Sequence, residues 1–107
     1  MLSRRNMKNP ALQALWQEHE AAKFPIECYG VEVDGADLVL CDSYAAGSIS
    51  TFLEVGVLDT KRKNVLIGCI EVLHGYIVNA HGEPKQYFER LLRMSEGVLE
   101  ETSQDDR

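Results

Sequence analysis

Residues Ile26 to Asp42 read IECYGVEVDGADLVLCD, and the fold class turns on them. Two β-prone runs flank Asp34-Gly35, a dipeptide favoured in two-residue hairpin loops because such loops need positive φ. That loop sets a register with Val33 opposite Ala36, Val31 opposite Leu38 and Tyr29 opposite Leu40. All six are apolar, so one face of the ribbon is suited to burial. The other face pairs Glu32 with Asp37, Gly30 with Val39 and Cys28 with Cys41. The opposed carboxylates of Glu32 and Asp37 repel mildly unless a cation or a basic partner group meets them. The sequence thus predicts strands from about Ile26 to Val33 and from Ala36 to Cys41. Cys28 and Cys41 then face each other as a dithiol, with a redox couple as the sharper alternative.

Helices are expected on both sides of this ribbon. Asn9 caps and Pro10 opens the first, and Leu12, Leu15, Trp16 and His19 form its apolar stripe before Phe24-Pro25 stops it. Beyond the second strand, Asp42 or Ser43 is placed to cap a helix from about Tyr44 to Glu54. Ala45, Ile49, Phe52 and Leu53 are its buried positions and Gly56 its end. Gly47 inside that helix costs ~1 kcal/mol unless close packing requires it. Asp59 caps a third helix reaching about Asn79, with Leu66, Cys69, Ile70, Leu73, Tyr76 and Ile77 at helical spacing; a strand pair is the other reading of that segment. AHGE is a loop, and Pro84 opens a final helix that turns Phe88, Leu91, Leu92, Ser95, Val98 and Leu99 inward.

The expected architecture is therefore α+β in the order α-β-β-α-α-α. Helices cover one face of an antiparallel hairpin, and the last two helices form an antiparallel pair. Residues 1–8 read as a flexible basic N-terminus, 9–101 as a single globular domain and 102–107 as a disordered acidic tail.

Composition sets limits on function. The 107 residues are 45% hydrophobic and 26% charged, with a formal net charge of −6, ordinary globular values. Charge is segregated: Glu27, Glu32, Asp34, Asp37, Asp42, Glu54 and Asp59 lie in a stretch, Phe24 to Asp59, without Lys or Arg. Bases gather at Arg4, Arg5 and Lys8 and again at Lys61, Arg62 and Lys63. No coherent basic surface is implied, which disfavours nucleic acid and anionic membranes as partners. Apolar runs fall well short of the ~20 residues that span a bilayer. No secretory signal is visible, and three cysteines within apolar stretches suit free thiols in a reducing, cytoplasmic setting.

Residues with chemical potential are few. Cys41, Asp42 and Ser43 are three potential nucleophiles where a strand hands over to a helix, a position where free N–H groups could hold a phosphate. The glycine pattern of a phosphate loop is missing, and a cap is the simpler role. Lys61, Arg62 and Lys63 crowd a helix N-terminus, where cations are disfavoured by ~0.3–1 kcal/mol each. Pairing with the acidic segment of the same or a neighbouring chain accounts for them; an anion site is the alternative. Glu71 and His74 stand at i and i+3, one unit of a di-iron site that needs two. His19 reads as a core or rim histidine and His81 as a loop residue, and a Cys41 pair with His74 or His81 cannot be built from spacing alone. No metal or other cofactor is implied.

The reading that follows is a non-catalytic interaction or regulatory module acting as a homo-oligomer. Its simplest form is a homodimer formed by pairing hairpin edges, and a separate protein partner is compatible with it. The competing reading is a small enzyme or anion-binding protein with its site at the Cys41-Asp42-Ser43 turn and Lys61 to Lys63 gripping the ligand. A polar pocket joining those two segments favours the second; a filled core with a flat oligomer face favours the first.

Overall fold

A computed structural model describes residues 9–105. The order is the expected one: helix α1 (Pro10–Ala21), a single 3-10 turn (Ile26–Cys28), strands β1 (Glu32–Val33) and β2 (Ala36–Asp37), then helices α2 (Leu38–Val55), α3 (Thr60–Ile77) and α4 (Gly82–Asp105). The result is α+β but mostly helical. The basic segment 1–8 lies outside the described residues.

The hairpin keeps its register and loses its length. Val33 pairs with Ala36 and Glu32 with Asp37, and Leu38 N–H adds a bond to Val31 O at 3.0 Å. Asp34 and Gly35 take φ of 52° and 83°, the left-handed pair that a two-residue loop demands. The long strands expected from Ile26 to Val33 and from Ala36 to Cys41 are not formed. Ile26–Cys28 is a 3-10 turn, and Leu38 already begins α2.

Asp37 causes the early helix start. Its carboxylate accepts from Val39 N–H at 2.7 Å and from Leu40 N–H at 3.2 Å, satisfying donors that a helix start leaves free. These N–H groups also offset the repulsion from Glu32. Asp42 and Ser43, read as caps from sequence, instead lie one turn inside the helix. Apolar spacing agrees, since Leu38, Cys41, Ala45, Ile49 and Phe52 are all buried on one side of α2. Gly56 ends the helix at φ 91°. A Cβ on Gly47 would meet nothing within 4 Å, so no close packing offsets its helix penalty.

Helix α3 is continuous, which settles segment 60–79 against a strand pair. It buries Leu66, Cys69 and Leu73. Asp59 caps it through Arg62 N–H at 2.7 Å. Hairpin and helix meet where Gly75 lies under Val33: a Cβ there would come within 3.1 Å of Val33 Cγ1. Helix α4 buries Tyr87, Phe88, Leu91, Leu92, Met94, Ser95 and Val98 and runs antiparallel to α3, with Tyr76 stacked edge-on to Phe88. The helix continues past Glu101 to Asp105. Thr102 is buried and donates to Leu99 O, and Glu101 accepts from the Asn9 side-chain amide that caps α1. Among the described residues no helix is long and apolar enough to cross a membrane.

Candidate functional site

Because Cys41, Asp42 and Ser43 sit within a helix, successive side chains turn by about 100°, and the three part company. Cys41 faces α3, Asp42 faces α1 and α4, and Ser43 faces outward.

Cys41 does not meet Cys28. Cys28 Sγ lies 3.3 Å from Tyr76 OH, whereas Cys41 packs on Cys69. Cys41 Sγ–H points to Cys69 O at 3.7 Å, and Cys69 Sγ–H to Cys41 O at 3.6 Å. The neighbouring Cys69 thiol, and then burial, pushes Cys41 far up, while the Cys41 thiol holds Cys69 below the ordinary thiol value.

Asp42 joins a partly buried polar cluster. Tyr87 OH donates to Asp42 Oδ1 at 2.9 Å, and His19 Nε2 stands 3.4 Å from the same oxygen. Arg90 Nε–H donates to His19 Nδ1 at 3.3 Å. An arginine can only donate, so Nδ1 is bare and the His19 proton sits on Nε2, facing Asp42. The contact lacks hydrogen-bond geometry, leaving His19 Nε2 buried without a hydrogen-bond partner. Burial first, then the Asp42 charge and hydrogen bond, push the Tyr87 phenol up. His19 comes from α1, Asp42 from α2, and Tyr87 and Arg90 from α4, so the cluster fastens α1 and α2 to α4. The sequence marked His19 and Asp42, while nothing in the spacing of Tyr87 or Arg90 signalled their part.

Ser43 opens onto a cleft of about 460 Å³ between α2 and α3. Ser43, Tyr44, Gly47, Ser48 and Thr51 line one wall, and Lys61, Arg62 and Val65 the other. Two segments singled out in the sequence therefore do share a cleft. It is wide and shallow, and its bases are already engaged in part: Arg62 Nη1 is 2.8 Å from Asp59 Oδ2, and that carboxyl is lowered chiefly by the Arg62 N–H bond. Beside the hydroxyls and bases stand exposed apolar side chains. Tyr44 is 55% exposed, Leu40 one turn earlier 51% and Val65 37%.

The remaining candidates lie apart from the cleft. His74 Nε2 pairs with Glu96 of α4 at 3.2 Å on the surface, away from Cys41. Glu71 is exposed, and no group of three or more His, Cys, Asp or Glu among the described residues is placed to hold a metal ion. No protein-family model matches the chain, and no curated protein or solved structure is significantly similar to it.

Proposed function

We propose that this protein is a non-catalytic interaction module that works as a homodimer, with the α2–α3 face as its docking surface. One observation carries this reading: Tyr44 and Val65 are exposed in the lining of a cleft that includes Gly47, with exposed Leu40 one turn before Tyr44. A large aromatic and two aliphatic groups on one face are more than scattered surface apolarity, and a glycine lets a second helix approach closely. Hairpin edges no longer supply the contact, because two-residue strands offer too few free backbone groups.

The partner that fits is a second copy. The face is bipolar, with Lys61 and Arg62 at the α3 start and Glu32, Asp34 and Asp37 at the hairpin end of α2. A two-fold axis reverses one face on the other and brings each basic end against an acidic end, which makes the patch self-complementary. The expected interface buries more than roughly 1,000 Å². Light scattering at micromolar concentration should give twice the 12.0 kDa chain mass, and Tyr44→Glu should return it to 12.0 kDa while helical circular dichroism persists. A 12.0 kDa mass for the unaltered chain would sink the reading.

A second reading rests on Ser43 meeting Lys61 and Arg62 in that cleft, which suits a small anion. Its mark is a saturable rise in melting temperature with inorganic phosphate, lost in Lys61→Glu. The dimer reading expects no saturable effect.

A further inference from the structure

We propose that Cys41 and Cys69 form a disulfide across the α2–α3 crossing when the folded protein meets a hydroperoxide. This does not rest on the dimer reading.

The argument begins with placement. Each sulfur lies within 3.7 Å of the other residue's carbonyl oxygen, so each side chain is aimed at the other's backbone where the helices touch. A disulfide requires Cβ atoms that face each other at close range, which side chains pointing apart cannot supply. Cys28 is excluded from this pairing because its thiol is turned to Tyr76.

Chemistry follows from the pairing of two thiols. A thiolate is the nucleophile in thiol oxidation, and a neighbouring donor eases its formation. The neighbouring Cys41 thiol holds Cys69 down, which makes Cys69 the attacking sulfur. Its thiolate takes the terminal oxygen of the hydroperoxide, the O–O bond breaks, and the leaving oxygen departs as water or alcohol. Cys69 is then a sulfenic acid. Cys41 sulfur attacks the Cys69 sulfur, the S–O bond breaks, and hydroxide leaves with the Cys41 proton as water. Two thiols lose two electrons and two protons, and the peroxide accepts both. Both residues are buried, which restricts the reaction to small oxidants and protects the sulfenic acid from further oxidation.

The bond would close a loop that takes in most of α2 and the first half of α3, and fix the crossing beneath the exposed Leu40, Tyr44 and Val65. Loop closure in the unfolded chain raises the melting temperature, here by roughly 10 °C for a disulfide of ordinary strength in a chain of this size.

The full-length folded chain, treated with hydrogen peroxide in native buffer, tests this by intact mass and by peptide mapping after cleavage at glutamate, which separates Cys28 from Cys41 at Glu32. Expected are a loss of 2 Da (two hydrogens,), a Cys41–Cys69 linked peptide, a higher melting temperature and reversal by dithiothreitol. Cys28→Ser should leave the link intact, and Cys69→Ser should abolish it. Stable thiols, added oxygen without a link, or a bridge involving Cys28 in the unaltered chain would each overturn the proposal, independently of how either variant folds.

Discussion

At the residue scale, the decisive side chain is Asp37. It does two jobs from one position: it closes the second rung of the hairpin and caps a helix of 18 residues. Asp37→Ala removes acceptors from two N–H groups and should cost about 1 kcal/mol, the usual worth of a cap. Ser43→Ala, on the exposed side of the helix interior, should stay within about 0.5 kcal/mol. Urea midpoints of the two variants decide the point, and equal losses would return the cap to the later position. The sequence offered three aspartates near the helix start: Asp34, Asp37 and Asp42. Assigning Leu38 and Leu40 to a strand removed Asp37 from consideration. The spacing of Leu38, Cys41, Ala45, Ile49 and Phe52 was the signal that could have restored it, because it fits a helix from its first member onward.

At the scale of elements, what could be read from the chain was what short-range geometry dictates. Asp34-Gly35 determines the register whatever the strand lengths, Gly56 and Asp59 punctuate α2 and α3, and the stripes of α1, α3 and α4 emerge from period alone. Strand length escaped because alternating and helical readings of ADLVLCD share the same apolar residues, and competition between cap and ladder decides between them. The site escaped for a related reason. Rotation about α2 sends Cys41, Asp42 and Ser43 to three destinations, and Tyr87 and Arg90 reach Asp42 and His19 only through tertiary packing. That packing has a pH signature. Burial, with a Cys28 hydrogen bond, pushes Tyr76 up to about 12, and Tyr87 is raised as well. A raised phenol keeps its stabilising effect in full below the unfolded value, ~10, and loses it as pH climbs through the folded value. Stability should therefore hold to about pH 10 and fall steadily above it. Tyr87→Phe should cost about 1–2 kcal/mol at neutral pH, since it strips a hydrogen bond from Asp42, and should make the alkaline decline shallower. Urea midpoints between pH 8 and 12 test both; an unchanged slope in the variant counts against the buried-phenol account.

At the scale of the whole molecule, the join between α1 and α4 sets a hierarchy in time. Helices α2, α3 and α4 follow one another through short links, so their mutual packing closes small loops. By contrast, Asn9 meets Glu101 across 92 residues and His19 meets Arg90 across 71. Closing long loops is entropically dearer, and on α1 it is offset by Leu12, buried against Gly97, by half-buried Leu15 and Trp16, and by the His19 cluster. The three-helix core should therefore form first and α1 dock onto it afterwards, detaching first under mild denaturant as a cooperative unit. Hydrogen exchange should show α1 amides opening with a shallow urea dependence, while amides of Leu66–Leu73 and Phe88–Val98 wait for global unfolding. Equal protection across all four helices would mean one indivisible unit. If α1 does open alone, Trp16 fluorescence becomes a clock for that step, and the brief bare state presents Tyr87 and Asp42 to solvent while the rest of the fold stands.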